Sequence, residues 1–448
     1  MPRHLVYLIV FIEGFCSLGA EVIALRRLVP HVGSAIVVTA PTIGLFLLAL
    51  ALGYAAGARV SERFTQVVAR NFALSALLAG LGLARVTVDG LFAHLQPVGV
   101  AYLVFIGGVL CPLAWLLGQT VPVLTNLMKH MRTGEASGHA LYWSTLGSFL
   151  GSVSLSLGVM QWLGVSAAVL ACALGLAAGS LVLARQQGRA WAAALAAVAL
   201  AVAVNLFPPS EVADTAYADY AVSPVELPGH PDPRAFFVNN SLASLIDAGQ
   251  PPGYARYITH LRHVLLDELG FAGRQVLVLG AGGFTLSHHE PLNHYTYVDI
   301  DPEIRAIAEA RFLKGPIRGD FIVDDARRFV AGTPRRFDAV VVDVFSSHTS
   351  IPGHLVTREF WHDARRALAP GGVLFANLIL DGRLETPYAR NLLATIESVF
   401  GRCGVEVLHK GKPLSNVIVS CHASSRPAPV GLYTDEQSAA DTDLARSR

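Results

Sequence analysis

Charge is what this chain has least of. Of its 448 residues only 15% are Asp, Glu, Lys or Arg, against about 25% in an average soluble domain. The shortage falls mostly before residue 210, so the chain reads as two halves. Formal net charge is +1, which leaves no basic excess to recruit nucleic acid. Cysteine is also scarce. Cys16, Cys111 and Cys172 lie in apolar runs and Cys403 and Cys421 near the end, with no CxxC pair; this spacing suggests neither a disulfide framework nor a zinc site. A small-residue cleavage site is missing after the first apolar run, which is too long and too charged to read as a cleaved signal peptide.

What the first half has is apolar length. A bilayer needs about 20 residues of helix. Leu5–Leu25, Ala35–Ala58, Val98–Leu117, Leu141–Met160, Leu163–Leu183 and Trp191–Phe207 each come near it, while Phe72–Leu95 is interrupted by Arg85 and Asp89. The expected count is seven spans, or six if that segment does not cross, in a membrane domain over residues 1–209. Gly44, Gly53, Gly57, Gly147, Gly151 and Gly158 are spaced for close helix packing. Glu13 and Glu21 sit inside the first span, where an ionisable group is either functional or paired, Glu21 with Arg26 or Arg27. Pro41, Pro112 and Pro122 can kink their helices, as transporters use, although packing also tolerates them.

Orientation pulls two ways. With seven spans, Arg3, Arg59, Arg63, Arg70, Lys129, Arg132, Arg185 and Arg189 share the N-terminal side, and Arg26, Arg27 and Arg85 the other. The positive-inside rule then leaves the C-terminal half outside the cytoplasm. With six spans the sides are nearly even. The expectation adopted, on the premise that the less apolar second half works on cytosolic metabolites, is an inner-membrane, multi-pass protein with a cytoplasmic C-terminal half.

Pro208-Pro209-Ser210 opens the linker. Ala235–Val238 and Leu242–Ile246 suggest a small β-hairpin region, and Tyr254 to Leu269 is helical by periodicity. Strands then alternate with helices. The strands are Val276–Leu279, Tyr295–Ile300, Phe321–Val323, Ala339–Val344, Val373–Leu378, Val405–His409 and Val417–Cys421. The helices are Pro302–Phe312, Ala326–Ala331, Thr357–Leu368 and Pro387–Phe400. This alternation predicts a mostly parallel sheet with helices on both faces, over residues 210–422. Residues 423–448 turn to Ser, Ala, Asp and Arg and read as a disordered tail.

The chemistry gathers where the strands end. Gly280-Ala281-Gly282-Gly283 closes the first buried strand and keeps side chains away, so backbone N–H groups can approach a nucleoside. Asp299, near the end of the second strand, suits ribose hydroxyls. Asp301 precedes Pro302 and reads as a helix N-cap. Asp324 and Asp325 open a helix: one reading makes one of them an N-cap, the other makes a carboxylate meet an adenine amino group. Asp343 closes a buried strand, where a charge is costly unless used or hydrogen-bonded. His348 and His354 read as loop histidines. His288, His289, Glu290 and His294 match no standard metal spacing, so no metal is expected.

These residues, in order, resemble the spermidine synthase (polyamine aminopropyltransferase) family, and among its members the bacterial kind whose domain follows a multi-span membrane region. The motifs are LVLGAGGFTL, YVDID, DDARRF, FDAVVVDVFSS and PGGVLFANL, within about residues 215–422. The resemblance implies a Rossmann-like, class I methyltransferase-type α/β fold. It implies decarboxylated S-adenosylmethionine as cosubstrate, with no permanently bound cofactor, over Gly280, Gly282 and Gly283. Asp299 takes the ribose-binding place, and Asp324 and Asp325 lie at the adenine end. Asp343 would be the catalytic acid and Tyr254 the tyrosine beside it, with His260 and Ser346 toward the amine. The implied reaction moves an aminopropyl group to putrescine or a related amine and releases methylthioadenosine. The partners expected are a small amine and the lipid bilayer, without nucleic acid; a homodimer is compatible. Three family carboxylates are replaced, by the Gly282-Gly283 region, Ser346 and Arg256, which points to a different acceptor. Two alternatives stay open. One is another S-adenosylmethionine-dependent transferase, such as a methyltransferase. The other is a polyamine transporter or sensor with a non-catalytic binding domain.

Overall fold

In a computed structural model the chain divides into two compact units, Met1–Val32 with Val38–Ser210 and Asp214–Ala216, and the rest, chiefly Tyr217–Arg448. The structure describes all residues except 34–35, 128–132, 185–187, 207–211, 346–350, 424–432, 436–439, 441–442 and 445–448.

The first unit is all helix. Among the described residues, five segments are long and apolar enough to cross a membrane: Arg3–Val32, Ile36–Ala58, Phe64–Gly82, Val98–Thr125 and Gly134–Leu183. The last is 50 residues long and turns at Gly164, whose φ of +81° breaks the helix into two. A further helix, Gly188–Leu206, follows. The interrupted segment around residue 85 resolves into Phe64–Gly82, which is long enough to span, and the short Arg85–His94, which is not. Small residues let the helices touch backbone to backbone. A Cβ on Gly147 or Gly151 would lie 2.2 Å from a carbonyl oxygen of the first helix, that of Phe11 or Phe15 respectively, so only glycine allows this approach.

After the helices the chain forms an antiparallel four-stranded sheet, β1 (Val212–Asp214), whose last residue groups with the first unit, β2 (Asp219–Pro224), β3 (Arg234–Val238) and β4 (Ser241–Ile246). This is a full meander where a hairpin was expected. The helix Arg256–Arg262 then leads into the main sheet. Its strands are β5 (Gln275–Leu279), β6 (His294–Asp299), β7 (Asp320–Val323), β8 (Phe337–Val342), β9 (Leu368–Leu380), β10 (Gly404–Val407) and β11 (Ser415–His422). They lie in the order β10-β11-β9-β8-β5-β6-β7. The five from β9 to β7 are parallel and the last two antiparallel. The parallel strands are apolar on both faces, as Val276, Leu277, Val278 and Leu279 show, because helices cover both sides. The strand order reverses between β5 and β8, which places the ligand crevice at their C-terminal ends.

Two further features differ from the sequence reading. Cys403 and Cys421 form a disulfide. They are 18 residues apart, so no local motif announces them; the antiparallel pairing of Gly404 with Ser420 brings them opposite each other. Within the tail expected to be disordered, Tyr433, Ala440 and Leu444 are buried in the core. Asp443 there accepts hydrogen bonds from Asn391 Nδ2 at 2.8 Å and the Tyr433 hydroxyl at 2.9 Å, and Arg327 pairs with Asp435. Polar composition hid a few anchoring side chains.

Candidate functional site

The crevice is lined by Gly280, Ala281, Gly283, Tyr257, Tyr297 and Asp343, among others. The glycine turn makes it. Gly280 has φ +87°, and a Cβ there would sit 2.2 Å from the Asp343 carbonyl oxygen. The backbones of the two neighbouring strand ends are thus pressed together, Asp343 N donating to Leu279 O at 2.9 Å. Gly283 is enclosed, its Cβ position 2.5 Å from the Phe312 ring. Gly282 is different. Its φ is +49° with open space beside it, so it serves the turn's backbone conformation.

Asp299 ends β6 next to that turn. Its carboxylate accepts from Ala281 N at 2.9 Å and Asp301 N at 3.0 Å. Burial raises its pKa to about 6, against the pull of these amides. Asp301 accepts from Glu303 N at 2.9 Å and the Tyr220 hydroxyl at 2.9 Å; it holds the turn ahead of the helix Ile304–Ile307, whose N-cap is Glu303 and not Asp301 as expected. The Asp324 and Asp325 alternatives now separate. Asp325 caps the helix Ala326–Gly332 by accepting from Arg328 N at 2.9 Å. Asp324 does not cap; it pairs with the Arg328 side chain.

Asp343 lies at the floor of the crevice. Its Oδ1 accepts from Asn377 Nδ2 at 2.8 Å, and Asn377 Oδ1 accepts in turn from Asn416 Nδ2 at 3.0 Å. Its Oδ2 is 3.0 Å from the Tyr257 hydroxyl. That hydroxyl is also 2.8 Å from the Ala243 carbonyl oxygen. A phenol has one proton to donate. Its hydrogen bond to Asp343 favours the ionised carboxyl, against the larger effect of burial. Burial raises the Asp343 pKa to about 6, so the carboxyl exchanges its proton near neutrality.

The tyrosine that meets Asp343 is Tyr257, where the sequence points to Tyr254. The Tyr254 hydroxyl lies 3.0 Å from His288 Nδ1 and 3.0 Å from the His288 carbonyl oxygen, with the Arg262 guanidinium 4.8 Å over its ring. The reason is local. Tyr254 sits in an isolated bridge to Ile246, ahead of the helix, whereas Tyr257 is in the first turn of the helix Arg256–Arg262, on its buried face. A second tyrosine three residues on was the available signal. His260 lies 3.5 Å from Glu406 and not at Asp343. Ser346 and His348 fall outside the described residues. Glu290 accepts from Leu292 N at 2.6 Å and holds its own turn. His288 has a pKa lowered to about 4, chiefly by burial.

A five-strand parallel run with two antiparallel strands at one edge, a glycine turn at the reversal and acids at successive strand ends define a class I methyltransferase-type domain. Residues 252–428 match the family model of the spermine/spermidine synthase domain. Polyamine aminopropyltransferase 1 of Streptomyces coelicolor is 26% identical over 412 residues, 83% of this chain and 75% of that protein. The polyamine aminopropyltransferase of Mycobacterium tuberculosis is 26% identical over 417 residues, 86% and 78% of the two chains. That of Vibrio vulnificus is 33% identical over 135 residues, 28% of this chain and 44% of its own. The chain thus carries a spermine/spermidine synthase domain over residues 252–428 and is an enzyme of the aminopropyltransferase type.

Proposed function

We propose that this is a membrane-anchored aminopropyltransferase that uses decarboxylated S-adenosylmethionine and a small amine such as putrescine. The observation that carries this reading is the buried Asp343 carboxylate, held by Asn377 and Tyr257 beside a glycine turn that brings bare backbone to the ligand. The adenosine would lie along Asp299 and Asp324, with the sulfonium toward Asp343. A neutral amine nitrogen attacks the methylene next to sulfur. The new C–N bond forms as the C–S bond breaks, the electron pair of that bond stays on sulfur, and neutral methylthioadenosine leaves. The ammonium proton passes to Asp343, whose pKa suits it to hold a proton near neutrality. Positioning supplies the remainder, since the sulfonium is already a good leaving group.

Calorimetric titration of the purified protein in detergent with S-adenosylmethionine, its decarboxylated form and methylthioadenosine tests the reading. Tightest binding of the decarboxylated form, followed by putrescine turnover that Asp343→Asn abolishes, is the expected result. Preference for intact S-adenosylmethionine would replace aminopropyl transfer by methyl transfer. Binding of none of the three would remove the enzymatic reading.

A further inference from the structure

The structure fixes which end of the helical unit the chain leaves from, and this bears on the side of the membrane where the chemistry happens. Arg27, near the C-terminal end of the first helix, gathers one end of the bundle. Its guanidinium donates to the Leu83 carbonyl at 3.2 Å, Ser166 Oγ at 2.9 Å and Asp214 Oδ2 at 3.2 Å. Arg26 donates to the Thr215 carbonyl at 2.9 Å. Four pieces of chain therefore meet at one end: the close of the first helix, the turn after Phe64–Gly82, the Gly164 turn and the start of the segment that leads into the α/β domain. At the opposite end, Asn126 Nδ2 reaches the Val60 carbonyl at 3.5 Å, joining the turns that follow Ile36–Ala58 and Val98–Thr125. The first helix begins at Arg3 and is 30 residues long, about 45 Å at 1.5 Å per residue, so its N-terminus belongs to this second end.

An odd number of crossings follows, with the N-terminus and the exit to the α/β domain at opposite ends. The Arg and Lys residues of the short loops divide accordingly. Among the described residues five lie at the N-terminal end, Arg3, Arg59, Arg63, Arg70 and Arg189, against Arg26, Arg27 and Arg85 at the exit end. All three at the exit end are engaged by Asp214 or Asp89. Arg and Lys bias of this kind sets orientation, with the richer side cytoplasmic. The cysteines provide an independent sign. Beyond the bundle the sequence has only Cys403 and Cys421, and they are joined, whereas Cys16, Cys111 and Cys172 within it are free. Structural disulfides persist in oxidising compartments.

We propose that the α/β domain stands on the extracytoplasmic side of the membrane, contrary to the expectation drawn from cosubstrate supply. This rests on the bundle being membrane-spanning. Joined to the aminopropyl-transfer reading, it requires a translocation step that delivers a sulfonium nucleoside across the membrane before the transfer.

Two single-cysteine reporters test it in the full-length protein in a bacterial inner membrane: Glu226→Cys, exposed in the α/β domain, and Arg59→Cys, exposed at the N-terminal end of the bundle. In intact spheroplasts a membrane-impermeant maleimide is expected to label Glu226→Cys at least tenfold more than Arg59→Cys, with the two equal after detergent. Labelling of Arg59→Cys alone before detergent would overturn the orientation. Carbonate extraction keeps the two premises apart: release into the supernatant would refute the membrane reading, and retention with the reversed pattern would refute only the sidedness. Acid-quenched alkylation of the wild-type protein is expected to leave Cys403 and Cys421 unmodified until reductant is added; free thiols there would remove the second line of support.

Discussion

Replacing Asp343 by Asn should make the enzyme inactive and more stable at once. The carboxylate is held at a cost: burial raises its pKa from the ordinary 3.8 to about 6, and each pH unit of such a difference is about 1.4 kcal/mol. The full cost would be about 3 kcal/mol. Because the side chain still meets some solvent at the crevice, about 2 kcal/mol is a fairer figure. The sign follows from which form folding favours. A carboxyl with a raised folded pKa prefers to be protonated in the native state, so the cost is fully present above pH 6 and vanishes as pH falls through 6 toward 3.8. Asparagine is neutral at every pH and of the same shape. Its oxygen still accepts from Asn377, and its amide donates to the Tyr257 oxygen. At pH 8, Asp343→Asn should therefore raise the melting temperature of the α/β domain by about 4–8 °C by scanning calorimetry. The difference should shrink to nothing near pH 4. Turnover should fall by about 10²–10⁴, the usual worth of a general base. A variant that melts lower than wild type at pH 8 would refute the reasoning, because Asp343 would then be a net stabilising ion and not a strained functional one.

Other expectations follow from the same geometry. The acid limb of the kcat/KM profile should rise through about pH 6 as Asp343 loses its proton, and steady-state rates between pH 4.5 and 8 would show it; a profile flat across pH 6 would exclude Asp343 as the titrating base. Tyr257→Phe should cost about 10–100-fold in kcat, the worth of a hydrogen bond to a charged group. It should also move that acid limb to higher pH, since the lost hydroxyl favours the ionised carboxyl, whereas Tyr254→Phe, whose hydroxyl meets His288, should leave the limb in place. Gly280→Ala should abolish nucleoside binding by calorimetry, because its Cβ would lie 2.2 Å from the Asp343 carbonyl oxygen. Gly282→Ala, with open space beside it, should lose only about 1–3 kcal/mol of stability from its left-handed backbone.

Much of the α/β fold was legible because it rests on local signals. Buried parallel strands read as unbroken apolar runs: Val276–Leu279 lies within the observed β5, and Ala339–Val344 overlaps β8, which ends at Val342. Helix starts were legible where a cap is written into the chain: Thr386 accepts from Ala389 N ahead of Pro387, and Asp325 caps Ala326–Gly332. Non-local pairings were not legible. The Cys403–Cys421 bond depends on β10 folding back on β11, and the short β1 and β2 are held as strands by pairing with their neighbours more than by their own composition.

The site divides along the same line, and the division explains the tyrosine error. Gly280, Asp299 and Asp343 are consequences of chain path: each ends a strand whose existence is local, so each could be found by counting from the strand. Which tyrosine reaches Asp343 depends on the rotation of a helix that packs from a different part of the chain. Tyr254 and Tyr257 are three residues apart and would share a face if both were helical. The bridge between Ile246 and Tyr254 removes the first from the helix, and that contact belongs to β4, not to the segment itself. The carboxylate was therefore readable from sequence, whereas its hydroxyl partner required the packing of the four-stranded sheet against the glycine turn, where Ser244 Oγ meets Thr285 Oγ1 at 2.7 Å. Residues that carry chemistry at strand ends are inherited from the fold. Those that set their protonation are contributed by the elements packed over them, and only a three-dimensional arrangement names them.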